Sequence, residues 1–242
     1  MEVKWRDRTS IRPVKIHRAY LKDPEGSVLF EIGNTKVLCA ATVQDKVPNF
    51  LKGTGEGWLT AEYALLPRST PRRNIREGRS GRYDARSIEI SRMVGRALRG
   101  VLDLSKLKDF SIIIDCDVLQ ADGGTRTASI TAGFCALYDA IQFMLRNGLI
   151  KENPILEFIA AISVGKIGND FLLDLSYEQD FQAEVDLNIA MTESKRIVEI
   201  QGTAEKRPFS VDDLNKMVEL AWKGIEELIR IQKKVFREPL PH

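Results

Sequence analysis

Histidine is nearly absent from this sequence, which contains only His17 and His242. Any acid–base chemistry near neutral pH is therefore expected from carboxylates. Cysteine is also scarce: Cys39, Cys116 and Cys135 are far apart and lie within apolar runs. This spacing predicts reduced core thiols in a cytoplasmic protein, and it argues against a disulfide framework or a zinc site.

Long apolar runs are missing as well. No stretch approaches the roughly 20 apolar residues of a membrane-spanning helix, and the first residues, Met-Glu-Val-Lys-Trp-Arg-Asp-Arg, contain no apolar signal core. The glycine–lysine pattern of a P-loop is absent too. With 242 residues, 43% hydrophobic and 29% charged, the chain is expected to form one large or two small globular domains away from any membrane.

Positive charge is abundant in one place. Between Arg68 and Arg99 there are ten arginines, no lysine and three acids, so this stretch carries +7 in a chain whose total is +2. Such a local excess favours a phosphate-bearing partner such as a nucleic acid. The alternative is an interface of arginine–carboxylate pairs or a solvated helix face. Residues 67–85 lack apolar periodicity and are predicted to form a long mobile loop.

A glycine pair marks the most informative turn of the sequence. The β-branched run 110–118 predicts a buried strand, the periodic run 127–146 predicts a helix, and Gly123, Gly124, Thr125 and Arg126 lie between them. Glycines allow close backbone approach, a helix start attracts anions, and an arginine fork fits a phosphate. The turn therefore suggests a phosphate site; alternatively, the glycines only permit the bend and the threonine caps the helix.

Five carboxylates crowd the stretch 174–188: Asp174, Glu178, Asp180, Glu184 and Asp186. Apolar residues at 185, 187 and 189 alternate with polar ones, as in a strand with one buried face. If the run stays extended or gently turned, Asp180 and Asp186 share a face. They could then hold a divalent cation or raise one another's pKa. A solvated strand face would explain the same pattern.

Similar elements occur twice. Hairpins are predicted around the turns at Gly33 and Gly168, and helices are predicted at 86–99, 127–146 and 210–233, the last with a Ser210 to Asp213 capping box. Strand, hairpin and helix follow in similar order in both parts of the chain. This order indicates an internal pseudo-repeat.

Taken together, these stretches resemble the bacterial ribonuclease PH family over nearly the whole chain. The similarity is carried by many short segments in the same order, among them Gly-Asn-Thr-Lys-Val-Leu-Cys39, Gly57-Trp-Leu-Thr-Ala-Glu-Tyr63, Leu66-Pro-Arg-Ser-Thr70, Arg73-Asn-Ile-Arg-Glu77, Cys116-Asp-Val-Leu-Gln-Ala-Asp-Gly-Gly-Thr-Arg-Thr-Ala-Ser-Ile-Thr131 and Gln201-Gly-Thr-Ala-Glu205.

The resemblance implies an α+β fold of the ribosomal protein S5 domain 2-like type with a duplicated βαβα core. It implies one such domain over residues 1–242, with pseudo-repeat halves at about 1–150 and 155–242. The implied reaction is phosphate-dependent 3′→5′ trimming of tRNA precursors and other RNA. Inorganic phosphate is the co-substrate, nucleoside 5′-diphosphates are released, and the reverse reaction adds nucleotides. The implied assembly is a homohexamer, a trimer of dimers, in the cytoplasm.

The resemblance also implies roles for individual positions. Arg86, Gly124, Thr125 and Arg126 match the phosphate site of the family. Asp180 and Asp186 match the catalytic carboxylates, with one as general acid for the leaving 3′-oxygen and both as a Mg²⁺ site. Three further residues match loop arginines that the family uses for RNA binding and ring assembly: Arg68, Arg73 and Arg76.

This sequence departs from the family at two places that bear on the site. Gln179 stands where a second acid is usual, and residues 79–86 replace a pattern rich in lysine and glycine, which affects the expected loop contacts.

Two other functions are alternatives to the active enzyme. A catalytically silent RNA-binding subunit of an exosome-like ring would be expected to lose Arg126 or one aspartate, and a small-molecule phosphotransferase would need a glycine loop of the ATP-binding type.

Overall fold

Two β-sheets form the framework of the residues that the computed structural model describes, 7–76 and 84–240. The first sheet has the order β1-β2-β3-β5-β4 and is antiparallel except for the β4–β5 pair. Two short 3₁₀ turns, Asn49–Leu51 and Leu104–Lys106, lie in its connections. Its strands are β1 (Val14–Arg18), β2 (Gly26–Ile32), β3 (Thr35–Gln44), β4 (Trp58–Leu65) and β5 (Ser111–Gln120).

The second sheet is antiparallel throughout and has the order β7-β6-β8-β9. Its strands are β6 (Ile159–Ile167), β7 (Asp170–Leu173), β8 (Val185–Thr192) and β9 (Ile197–Ala204). The helices are α1 (Ala85–Arg99), α2 (Thr125–Arg146), α3 (Tyr177–Gln182) and α4 (Val211–Arg237). Together these elements confirm the expected α+β class.

Helix α2 joins the two sheets. It contacts β2 and β3 on one side and β6 on the other. Its length and hydropathy would suit a membrane span, but 78% of that window is buried inside the protein, as expected for a core helix. A Cβ at Gly26 of β2 would lie 2.0 Å from the Ala136 carbonyl oxygen, so this glycine allows the helix and the sheet to approach closely.

Most elements predicted from periodicity are present with shifted ends. The helix predicted at 127–146 begins at Thr125, and the one predicted at 210–233 continues to Arg237. The turn glycines Gly33 and Gly168 both have positive φ, as their hairpins require. The division into pseudo-repeat halves remains a prediction.

The three cysteines are buried free thiols, as predicted. Cys39 and Cys116 are cross-strand neighbours with their sulfur atoms 3.4 Å apart, and Cys135 lies on α2. Burial raises the pKa of the Cys135 thiol well above its ordinary value. These thiols therefore act as small core residues.

The capping box of α4 gives a test of local stability. Ser210 Oγ accepts the Asp213 N–H at 3.0 Å, and Asp213 Oδ2 accepts the Ser210 N–H at 3.3 Å. We expect Ser210→Ala to lower the free energy of unfolding by about 1 kcal/mol in urea titrations. Val211→Ala, at a neighbouring position with 73% exposure, should change it by less than about 0.5 kcal/mol. Equal effects of the two changes would contradict the capping role.

Candidate active site

The candidate site is built around the start of α2, which follows the Gly123–Gly124 turn. Both glycines have positive φ, +76° and +65°, and no side chain among residues 7–76 and 84–240 caps the first N–H groups of the helix. The interpretation that a threonine caps this helix is therefore wrong. Thr127 Oγ1 instead donates to the Gly124 carbonyl oxygen at 2.9 Å. The uncapped N–H groups and the helix dipole leave a positive helix end available to an anion.

Two arginines from different helices flank this helix start. Arg126 is the second residue of α2 with an 18% exposed side chain, and Arg86 is the exposed second residue of α1. Burial raises the pKa values of Tyr63 and Asp180, and both arginines lie close enough for their charges to offset part of that rise. The structure thus brings both arginines of the predicted phosphate site together at the start of α2.

The hydroxyl of Thr125 is engaged by a residue that the sequence did not single out. Tyr63, at 4% exposure on β4, lies with its hydroxyl 2.9 Å from Thr125 Oγ1. Burial raises the pKa of Tyr63, so the phenol remains neutral and can donate a hydrogen bond. Tyr63 therefore fixes the rotamer of the first residue of α2. The only sequence signal for Tyr63 was its place in the segment 57–63, which is one of those that resemble the ribonuclease PH family.

Asp180 lies on α3, so the expectation of an extended or gently turned run from 174 to 188 is wrong for residues 177–182. Gln179 explains the helix, because its side chain accepts the Ser176 N–H at 3.0 Å and completes a capping box. The residue that departs from the family pattern thus stabilises the helix that carries Asp180. Burial raises the Asp180 pKa, and the charges of Arg86 and Arg126 offset part of that shift.

Asp186 lies on β8 beside Asp180. Val185 and Leu187 are buried in the core, as the alternating pattern predicted, and Asn188 donates to Asp186 Oδ2 at 2.8 Å. Burial and then the charge of Asp180 raise the pKa of Asp186 to about 6, although Asn188 and Arg126 oppose the shift. The two aspartates therefore share one site despite lying on different elements, and Asp186 can carry a proton up to about pH 6.

Two other carboxylates of the 174–188 stretch have different surroundings. Asp174 is 2% exposed and is bound by the Arg12 guanidinium, whereas Glu178 is exposed on α3. Within residues 7–76 and 84–240, no cluster of three or more His, Cys, Asp or Glu side chains has the geometry of a metal site. A cation at this position would therefore rely on the two aspartates with ligands from substrate and water, an arrangement common for Mg²⁺.

The side chain of Arg126 is held by residues of two other elements. Its guanidinium donates to Gln201 Oε1 on β9 and lies 3.6 Å from Glu89 of α1. Gln201 in turn donates to Glu89 at 2.6 Å. Just beyond β9, Glu205 lies near enough to raise the pKa values of both aspartates. Gln201 and Glu205 lie in the segment 201–205 that resembles the family, but only the tertiary fold shows which residues they contact.

The loop arginines Arg68, Arg73 and Arg76 are exposed. Residues 66–74 form hydrogen-bonded turns rather than an open loop, since Asn74 N–H donates to the Pro67 carbonyl oxygen at 2.8 Å. Burial raises the pKa of Asp117 on β5 and the charge of Arg76 offsets part of that rise, so this arginine lies near the first sheet. The rest of the predicted loop, residues 77–83, lies outside the described part of the chain.

Comparison with protein families identifies the class. The model of the 3′ exoribonuclease family, domain 1, matches residues 10–141, and its domain 2 model matches residues 157–224. The chain therefore belongs to the 3′ exoribonuclease family. The family and enzyme class implied by the sequence resemblance are confirmed.

Individual relatives narrow this class to ribonuclease PH. The chain is 54% identical over 237 residues to Ribonuclease PH of Bacillus subtilis, a match that covers 98% of this chain and 97% of the relative. It is 53% identical over 225 residues to Ribonuclease PH of Moorella thermoacetica, covering 93% and 90% of the two chains.

Solved structures show the same fold at lower identity. Rice (Oryza sativa) Rrp46 superposes with a TM-score of 0.77 at 16% identity, covering 95% of this chain and 97% of that one. The Archaeoglobus fulgidus exosome with RNA bound to the active site gives a TM-score of 0.77 at 23% identity, covering 96% and 90%. The fold expected from the resemblance is confirmed.

The raised pKa of Asp186 predicts a conflict between site chemistry and stability. Between the ordinary value of 3.8 and about 6, the folded chain retains a proton that the unfolded chain has lost. Stability from this group therefore falls as the pH rises through that window. We expect Asp186→Asn to raise the free energy of unfolding at pH 8 by up to about 3 kcal/mol, with most of the gain lost at pH 4.

Denaturant titrations at both pH values in metal-free buffer measure this difference. Glu178→Gln removes an exposed acid from the neighbouring helix and serves as the control, with no comparable pH-dependent gain expected. An Asp186→Asn variant with the same stability difference from wild type at pH 4 and pH 8 would contradict the assignment.

Proposed function

We propose that the chain removes nucleotides from the 3′ ends of tRNA precursors and other RNA by phosphorolysis. Inorganic phosphate attacks the terminal phosphodiester, the bond to the 3′-oxygen breaks, and a nucleoside 5′-diphosphate leaves. The reverse reaction extends the RNA. The observation that carries this proposal is the convergence of two arginines, an uncapped helix start and two raised-pKa aspartates in one site.

Phosphorolysis places one anion against another, so the site must neutralise charge before reaction. The phosphate would be bound by positively charged and N–H donors: the guanidinium groups of Arg86 and Arg126 and the backbone N–H groups of residues 124–126. Thr125 is held by Tyr63, and Arg126 by Gln201. These contacts support a phosphate site whose donors are already oriented before the phosphate arrives.

The aspartates would act on the leaving group. The 3′-oxygen needs a proton as its bond to phosphorus breaks, and a carboxyl with a pKa near neutrality is a suited donor. The raised pKa values of Asp180 and Asp186 support the pair in this role. Because their charges interact, the two carboxyls are best treated as one titrating unit.

We assign Mg²⁺ to the same pair. The donor set fits a hard cation, since two partly buried carboxylates repel one another and one of them raises the pKa of the other. The ion would supply positive charge for the phosphate oxygens when bound. Asp180 and Asp186 would be its protein ligands.

The exposed loop arginines Arg68, Arg73 and Arg76 are proposed to contact RNA phosphates and to take part in ring assembly. We further propose a cytoplasmic homohexamer arranged as a trimer of dimers, and one enzyme domain over residues 1–242 with pseudo-repeat halves near 1–150 and 155–242. The silent-subunit alternative is not favoured, because such a subunit would be expected to lose Arg126 or one of Asp180 and Asp186, and the sequence retains all three.

The phosphate role of Arg126 is testable by replacement. Arg126→Ala should raise the KM for phosphate about 10- to 100-fold, or abolish phosphate-dependent release, because a charge-assisted pair of hydrogen bonds is lost. RNA binding, measured by filter retention or anisotropy, should survive. Arg230→Ala, which removes a 78% exposed arginine from α4, is the control. Wild-type turnover of Arg126→Ala would contradict the site.

The acid role is tested on α3. Asp180→Asn should leave the fold intact and lower kcat at least about 100-fold, since proton transfer contributes roughly that factor. Glu178→Gln, two residues away on the same helix but exposed, should retain near-normal kcat. Product analysis should detect nucleoside diphosphates from wild type only when phosphate is present. A near-normal rate for Asp180→Asn would place the acid elsewhere.

A further inference from the structure

The phosphate turn and the helix that carries Asp180 come from opposite parts of the sequence, yet their backbones touch. A Cβ on Gly123 would lie 2.3 Å from the Leu175 carbonyl oxygen, 2.7 Å from the Ser176 carbonyl carbon and 2.9 Å from the Tyr177 nitrogen. Only a residue without a side chain allows this approach. The separation between the turn and the start of α3 is therefore set by direct backbone contact.

A hydrogen bond crosses the same contact. Asp122 Oδ1 accepts the N–H of Tyr177, the first residue of α3, at 3.2 Å. The other oxygen, Oδ2, accepts from Asn34 Nδ2 at 3.1 Å on the far side of the turn. Asp122 thus holds the start of α3 with one oxygen while the second ties it to the β2–β3 hairpin.

A buried ion pair lies beneath this contact. Arg12, at 8% exposure, donates through Nε and Nη2 to the Asp174 carboxylate at 2.9 and 2.7 Å. Its Nη1 donates to the Asp122 carbonyl oxygen. One guanidinium therefore joins the turn before Gly123 to the chain segment that leads into α3.

We propose that Asp122 and Gly123 are positioning residues that set the distance between the bound phosphate and the acid on α3. Asp122 holds the N-terminus of α3, and Gly123 limits how closely the helix approaches the turn. Asp180 follows Tyr177 by three residues, so a shift of the helix start moves its carboxyl relative to Arg126. The inference rests on the proposed function, because it concerns the alignment of that reaction.

This role predicts a specific kinetic pattern. If Asp122 aligns α3 with the phosphate site, its loss should slow the chemical step. Phosphate binding should stay nearly intact, because the proposed phosphate donors Arg86 and Arg126 lie on α1 and α2 rather than on α3. We expect Asp122→Ala to lower kcat about 10- to 100-fold with a KM for phosphate within about threefold of wild type. A general loss of folding would instead reduce the active fraction and shift the unfolding transition.

Matched variants separate alignment from stability. Asp122→Asn keeps an oxygen for the Tyr177 N–H and should restore most of kcat. Asn34→Ala removes only the partner of the other oxygen and should retain wild-type kcat. Loss of kcat in Asp122→Asn as large as in Asp122→Ala would overturn the proposal, and so would a wild-type kcat in Asp122→Ala.

A backbone variant keeps the test decisive if Asp122→Ala fails to fold. Proline is tolerated at the first helical position, and Ser176 before it is already extended, with φ −72° and ψ 167°. Tyr177→Pro removes the N–H that Asp122 accepts, whereas Tyr177→Ala retains it, and both remove the exposed ring. The proline variant should have a kcat about 10-fold or more below that of the alanine variant. Equal kcat values would overturn the proposal.

The same assays distinguish the two levels of inference. If wild type releases no nucleoside diphosphate in the presence of phosphate, the proposed function fails. If wild type does release it and the Asp122 and Tyr177 series shows no kcat pattern, only the positioning role fails.

Discussion

Contact between two stretches of backbone, the Gly123–Gly124 turn and the chain entering α3, determines the geometry of the whole site. The turn opens α2, which packs between both sheets, and α3 leads into β8. The buried Arg12 guanidinium links the two stretches, because it donates hydrogen bonds to the Asp174 carboxylate and to the Asp122 carbonyl oxygen. The start of α2 and the two aspartates thereby come from the parts of the chain that match different family models, residues 10–141 and 157–224, but they are joined at one place.

Electrostatic opposition gives this arrangement its chemistry. Burial raises the pKa of Asp180, and Arg86 and Arg126 offset part of that rise. Burial and then the charge of Asp180 raise the pKa of Asp186. Arg126 is paired with Gln201 and lies near Glu89. A site that keeps cations and buried carboxyls in close proximity is less stable than one of apolar residues. In the proposed mechanism this proximity is what lets phosphate and a proton donor meet within the same small volume.

Local sequence signals were sufficient for the strand, glycine turn and helix around Gly124, because backbone freedom and apolar periodicity act over a few residues. They also predicted the buried alternation around Asp186. They failed for α3, since a six-residue helix has no periodicity to detect and depends on its capping residue, Gln179. The partners Tyr63 and Gln201 could not be predicted from local pattern, because each reaches the site only through strand pairing and helix packing.

A crystal structure with inorganic phosphate bound is the most direct test of this account. The phosphate is predicted to lie at the start of α2, within hydrogen-bond distance of the Arg126 guanidinium, the Arg86 guanidinium and the N–H groups that follow Gly124. Asp180 and Asp186 should face it from the second half of the chain. Phosphate bound only at the exposed loop arginines, with the start of α2 empty, would contradict the account.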